Sequence, residues 1–138
     1  MKSDMTIYHL VRKDTWGMYQ KDVFYSPPSL EREGFIHCSI KEQVLTTANR
    51  RFTGAKDLLL MVIDTINVPS KIVFEDLRGT GEKHPHIYGK LPLSAIQTIL
   101  PLLPNAEGIF TKLPIAFSML TRYHMRKKKI WKSRGARS

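Results

Sequence analysis

The stretch Leu58-Leu59-Leu60-Met61-Val62-Ile63 is apolar at every position. A strand with one solvated face alternates apolar and polar residues, whereas a strand covered on both faces is apolar throughout. The run is also far shorter than the ~20 apolar residues that a helix needs to cross a bilayer. We therefore predict a strand that is covered on both faces by other elements.

The segments around this strand predict an α+β fold. β-branched and aromatic residues indicate strands over Thr6 to Val11, Phe35 to Cys38 and Lys71 to Leu77. The sequence Ser39-Ile40-Lys41-Glu42 fits a capping box, and an apolar stripe spaced by four residues follows it, which predicts a helix. Leu93 to Leu103 combines one helical turn with a last strand. Strands and short helices in this order indicate α+β.

Length and composition limit the chain to a globular class. With 138 residues, 42% hydrophobic and 25% charged, it has the size and composition of one globular domain and not of a disordered chain. We predict a domain over residues 1–106 and an extension over residues 107–138, with a terminal helix from Pro114 to Trp131. The first residues lack an apolar signal core, and the single Cys38 cannot form an internal disulfide, so we expect a cytoplasmic protein.

The positive charge is concentrated at the end of the chain. The net charge is +10, and the segment from Arg122 to Ser138 carries eight basic residues and no acidic one. Such a segment can bind nucleic acid, an anionic surface or an acidic partner protein. It can equally be a solvated end without a partner. The sequence leaves both interpretations open.

The first candidate site is the segment Gly34 to Ser39. In a strand, Ile36 and Cys38 share one face, and Phe35, His37 and Ser39 share the other. If the apolar pair faces the core, His37 and Ser39 face a common polar space at the start of a helix, where free N–H groups favour an anion. The alternative is a hydrogen-bonded strand histidine beside a serine that only caps the helix.

The second candidate site is the segment His84 to Gly89. His86 and Tyr88 point the same way in an extended chain, so they offer a titratable group and an aromatic surface to one ligand. The alternative is a surface ladder of two half-buried residues. No metal is expected here, because the sequence contains neither a helical histidine pair nor paired cysteines at metal-ligand spacing.

Two further residues carry groups that chemistry could use. Glu75 faces away from the apolar Ile72 and Phe74, and a carboxylate there can orient a sugar hydroxyl or stabilise a developing cation. It can also be a solvated edge residue. His9 shares its face with apolar neighbours on the first strand, which by itself is more typical of a hydrogen-bonded core histidine.

Taken together, these segments resemble the bacterial family called domain of unknown function 952. The resemblance covers about Thr6 to Leu103. Its most specific motifs are Gly-Phe-Ile-His-Cys-Ser at residues 34–39 and Pro-His-Ile-Tyr-Gly at residues 85–89. The other matching positions keep the same order along the chain: Ile7-Tyr8-His9, Trp16, Tyr25, Ser29-Leu30, Glu33, Gln43, Arg51-Phe52, Leu58 to Asp64 and Phe74-Glu75.

This resemblance implies a fold similar to that of ADP-ribosyltransferases, with two small packed sheets and flanking short helices around a cleft for NAD. It implies that NAD or a related ribonucleotide is bound there as a substrate, with ADP-ribosyl or related glycosyl transfer as the reaction. Expected catalytic residues are His37, Glu75 and His86, and expected binding residues are His9, Ser39 and Tyr88. The alternative is a non-catalytic module that binds a small ligand and contacts RNA or an acidic partner through its basic tail.

Overall fold

The computed structural model of the chain describes residues 5–114. The predicted terminal helix, apart from Pro114 itself, and the basic segment from Arg122 to Ser138 lie outside the described residues. The helices are α1 (Lys13–Gly17), α2 (Pro28–Glu33) and α3 (Val44–Arg51). The strands are β1 (Thr6–Arg12), β2 (Phe24–Tyr25), β3 (Ile36–His37), β4 (Leu58–Asp64), β5 (Lys71–Glu75), β6 (His84–Tyr88), β7 (Leu91–Pro92) and β8 (Ile96–Pro101).

The apolar run forms β4, the middle strand of a three-stranded antiparallel sheet with the order β1-β4-β8. Its alternate side chains enter two different cores, as the uninterrupted apolar pattern predicts. Leu60 and Val62 pack in the core that contains the buried face of α3, whereas Met61 and Ile63 pack in the core that contains the apolar face of the second sheet. The prediction of a strand covered on both faces is confirmed.

The second sheet has the order β3-β6-β5 and carries the candidate site residues. Its register places Ile36 opposite Ile87 and His37 opposite His86. Both isoleucines are fully buried in the core that the sheets share. The two histidines therefore lie on the other face of the sheet, because side chains alternate along a strand.

A short backbone bridge joins the two sheets. The N–H of Tyr8 donates to the carbonyl of Ser39 at 2.9 Å, and the N–H of Ser39 donates to the carbonyl of Tyr8 at 2.7 Å. A third, two-stranded sheet pairs β2 with β7. The fold is thus a mixed α+β arrangement of small antiparallel sheets and short helices, as expected. No helix among residues 5–114 is long and apolar enough to span a membrane.

The predicted capping box at Ser39 is wrong by one residue. A 3-10 turn over Lys41–Gln43 precedes α3, and its N-cap is Ile40, whose backbone N–H donates to the side-chain oxygen of Gln43 at 3.1 Å. Since the backbone of Ser39 is engaged in the bridge to β1, the helical segment begins only after it. The apolar stripe is correct at its centre, where Val44 and Ala48 are buried.

The first residues of the predicted extension pack on α3. Phe110 is buried in the core on that side of the central sheet. The side chain of Asn49 holds the Phe110 backbone at both polar groups, donating to its carbonyl at 2.9 Å and accepting from its N–H at 2.8 Å. The chain is therefore part of the same packed unit beyond residue 106.

Candidate functional site

A cavity of about 600 Å³ opens between β1, the α2–β3 segment, α3 and the loop between β5 and β6. Five of the six predicted site residues line it, although they come from four separate segments of the sequence. The five residues are His9, His37, Ser39, Glu75 and His86. The sixth, Tyr88, contacts the site from the second sheet without lining the cavity.

Glu75, His86 and Tyr88 form a hydrogen-bonded triad on β5 and β6. The Nδ1–H of His86 donates to Oε2 of Glu75 at 2.8 Å, and the phenol of Tyr88 donates to the same oxygen. These hydrogen bonds, first that of Tyr88 and then that of His86, hold the pKa of Glu75 below its usual value. The carboxylate is therefore ionised, and its Oε1 accepts no hydrogen bond from the described part of the chain.

The hydrogen bond to Glu75 also fixes the tautomer of His86. Because a carboxylate only accepts, Nδ1 of a neutral His86 carries the proton and Nε2 carries the lone pair. Phe35 holds the ring in place, since the two rings stack with centroids 4.1 Å apart and planes 19° apart. The result is an oriented imidazole beside an ionised carboxylate at the cavity wall.

His37 forms a second histidine–carboxylate pair next to the triad. Its Nε2–H donates to Oε1 of Glu33 at 2.9 Å, and its ring meets that of His86 edge-on at 5.2 Å between centroids. Burial lowers the pKa of His37 more than the hydrogen bond to Glu33 raises it. His37 is accordingly a neutral imidazole at neutral pH that can accept a proton.

His9 lies behind His37 with both ring nitrogens engaged. Its Nδ1–H donates to the backbone carbonyl of His37 at 2.6 Å, so its Nε2 accepts the phenolic proton of Tyr25 at 2.7 Å. Burial lowers the pKa of His9 to about 4, although the hydrogen bond to the carbonyl of His37 raises it; the positive charge of Arg51 adds to the lowering. His9 thus holds the end of β3 in position as a neutral side chain.

Ser39 lies at the inner wall of the cavity. Its hydroxyl lies 3.4 Å from the hydroxyl of Thr47 on α3, which also lines the cavity. Each hydroxyl has one donor and two acceptor positions, so both retain capacity to hydrogen-bond a ligand in the cavity beside this single long contact. Among residues 5–114, no three His, Cys, Asp or Glu side chains converge as a metal-binding group.

Residues 10–99 match the family described as "Protein of unknown function (DUF952)". The chain belongs to this family. Among curated proteins, no relative matches the DUF952 chain.

Solved structures of another protein share the fold of this DUF952 domain. The crystal structure of CC0527 from Caulobacter crescentus has 26% sequence identity and a TM-score of 0.69, and the match covers 78% of this chain and 94% of that chain. A crystal structure of a double mutant of CC0527 gives the same values. The solution NMR structure of CC0527 has 26% identity and a TM-score of 0.67, covering 77% and 91% of the two chains.

Sequence reasoning missed three supporting residues of the DUF952 site. Glu33 lies immediately before the first motif, and Phe35 lies within it. Alternation places Phe35 on the face of His37 and Ser39, but it predicts neither the hydrogen bond of Glu33 to His37 nor the stacking of Phe35 on His86. A signal for Glu33 was present, because it lies four residues before His37 across the Gly34 turn, where φ is 86°. Tyr25 is fully buried, and only the fold brings its phenol to His9.

Proposed function

We propose that this DUF952 protein binds NAD or a related ribonucleotide in the cavity and transfers its ADP-ribosyl or a related glycosyl group to an acceptor. The observation that carries this proposal is the ionised Glu75, with one oxygen held by His86 and Tyr88 and the other unengaged. Transfer at a ribose passes through an oxocarbenium-like state, and a fixed negative charge beside it lowers the barrier.

The proposed reaction uses the residues in defined roles. The bond between C1′ of the ribose and the nicotinamide nitrogen breaks, and the leaving group takes the electron pair. Glu75 stabilises the positive charge that develops on the ribose. An acceptor nucleophile forms the new bond to C1′, and its proton goes to Nε2 of His86, whose Nδ1 is already held by Glu75.

The arrangement of the sheets supports the same proposal. Two small antiparallel sheets meet at the bridge between Tyr8 and Ser39, and residues at this junction line the cavity. We therefore propose that the fold is of the ADP-ribosyltransferase kind. In this scheme Ser39 holds a ribose or phosphate oxygen and His9 positions the ribose-binding wall. Tyr88, which does not line the cavity, positions the carboxylate of Glu75 through its phenol.

NAD and ADP-ribose are expected to raise the melting temperature of the full-length protein in a thermal-shift titration. A ligand at about 100 times its Kd adds about 2.7 kcal/mol to the stability, which amounts to several degrees for a domain of this size. The shift should be smaller for His37→Ala, which removes a cavity-lining ring. The absence of a shift with either ligand at millimolar concentration contradicts the proposal.

A second candidate function rests on the charge of the last segment. The eight basic residues from Arg122 to Ser138 favour binding of RNA. In this alternative the described domain binds a small ligand without catalysing a reaction. Deletion of residues 122–138 is expected to abolish RNA binding that the full chain shows at low salt. Filter binding over a series of salt concentrations measures this, and RNA binding that persists after the deletion rejects it.

A further inference from the structure

The basic residues of the described domain are divided by type. Residues 5–114 contain five arginines and eight lysines; every arginine lines the cavity, and no lysine does. Arginine presents a planar fork of donors that matches the oxygens of a phosphate or carboxylate, whereas lysine does not. This distribution indicates that the cavity recognises an oxyanion. The five residues are Arg12, Arg32, Arg50, Arg51 and Arg78.

Arg12 differs from Arg51 and Arg78 because it already has partners. Its guanidinium forms an ion pair with Asp57 at 2.7 Å and lies over the ring of Phe52, 5.8 Å from the centroid. Neither Arg51 nor Arg78 forms an ion pair within 4.0 Å in the part of the chain that the structure describes. They come from the end of α3 and from the loop after β5, so the fold brings two positive charges to one cavity.

No carboxylate of the cavity forms an ion pair with Arg51 or Arg78 within 4.0 Å among residues 5–114. Glu33 and Glu75 are each hydrogen-bonded to a histidine, at 2.9 and 2.8 Å. Asp76 accepts from backbone N–H groups of its own loop at 2.9 and 2.7 Å. Glu82 also lines the cavity but forms no ion pair among the described residues. Burial and the positive charge of Arg78 lower the pKa of Arg51, whereas the negative charge of Glu33 raises it. This agrees with all three side chains lining the same cavity.

We propose that Arg51 and Arg78 form a subsite for a phosphate group of the ligand. Two guanidinium groups without a carboxylate partner repel each other, and an oxyanion between them removes that repulsion while accepting several charge-assisted hydrogen bonds. This inference rests on the proposed function, which supplies the ribonucleotide, and it states which residues bind the phosphate of that ribonucleotide. The phosphate belongs either to a diphosphate bridge or to a single phosphate ester, which share this chemistry.

Isothermal titration calorimetry of the full chain tests the subsite with inorganic diphosphate, ADP-ribose, AMP and adenosine. The test variant is Arg51→Gln/Arg78→Gln, and the matched control is Lys56→Gln/Lys112→Gln, which removes the same charge outside the cavity. A charge-assisted hydrogen bond contributes about 1.5–3 kcal/mol, so the double arginine variant should bind diphosphate and ADP-ribose about 10- to 100-fold more weakly. Adenosine binding should stay unchanged in both variants.

The outcomes separate this inference from the proposed function. If ADP-ribose binds more tightly than adenosine by the same factor in the arginine variant as in the native chain, the subsite is rejected and nucleotide binding is retained. If no nucleotide binds but diphosphate binds the native chain and not the arginine variant, the subsite stands and the proposed function fails. The subsite is also rejected if diphosphate does not bind the native chain, or if the lysine control loses as much affinity for diphosphate as the arginine variant does. If the arginine variant loses as much affinity for AMP as for ADP-ribose, the subsite needs only a single phosphate.

Discussion

Replacement of Glu75 by Gln is expected to lower the rate of ribosyl transfer from NAD by about 10²–10³-fold, the usual effect of removing one preorganised electrostatic group. Gln keeps the shape of Glu75 and can still accept hydrogen bonds from His86 and Tyr88, but it carries no charge. The ground-state complex involves little charge on the ribose, so the affinity for NAD should change far less than the rate. Release of nicotinamide from NAD measures the rate.

The matched control is Glu107→Gln, which removes one carboxylate from an exposed loop residue that does not line the cavity. Its rate should equal that of the native protein. A Glu75→Gln rate within twofold of native shows that the carboxylate does not stabilise the transition state. If the native protein binds NAD but releases no nicotinamide, glycosyl transfer is rejected and ligand binding alone is retained.

The face that each strand residue occupies was predictable from the sequence. Alternation in the segment Gly34 to Ser39 places Ile36 and Cys38 in the core, and both are buried there. The same rule places His37 and Ser39 at the cavity, where the structure has them. These predictions depend only on the two-residue period of a strand, so no knowledge of tertiary contacts was required.

The partners of these residues could not be predicted in the same way. The pairing of His86 with Glu75 depends on the antiparallel register of β5 and β6, which places Val73 opposite His86. Glu75 lies two residues after Val73 on the same face of β5, so its carboxylate reaches the imidazole of His86. The stacking of Phe35 on His86 depends on β3 pairing with the far side of β6. Sequence patterns define which face a residue occupies, but they do not define the register between strands.

The positions of the arginines show the same limit. In the sequence, charge is concentrated in the last 17 residues, where eight of the 22 basic residues lie, and the rest of the chain is nearly neutral. The net charge does not show that arginines and lysines occupy different places, because each residue contributes one positive charge. Only the fold shows that Arg51 and Arg78, which lie in different segments, line the same cavity.

Acidification is expected to destabilise the protein through His9 well above the pH at which most carboxylates titrate. The pKa of His9 is about 4 in the folded protein, because the ring is buried, and 6.5 in the unfolded chain. Between these values the unfolded chain binds a proton that the folded protein does not, so the stability falls as the pH falls from 6.5 to 4. The full difference is about 3 kcal/mol, at 1.36 kcal/mol for each pKa unit. Urea denaturation at a series of pH values measures it.

The variant His9→Asn separates this effect from other titrations. Asn can still donate to the carbonyl of His37 but cannot be protonated, and it leaves the phenol of Tyr25 without its acceptor. We expect a loss of about 1–3 kcal/mol at pH 7, together with a shallower dependence on pH below 6.5. His84→Gln is the control, since His84 is a less buried histidine whose pKa burial also lowers. If His9→Asn loses stability on acidification as steeply as the native chain, His9 is not the group that titrates, and its assignment as a neutral positioning residue is wrong.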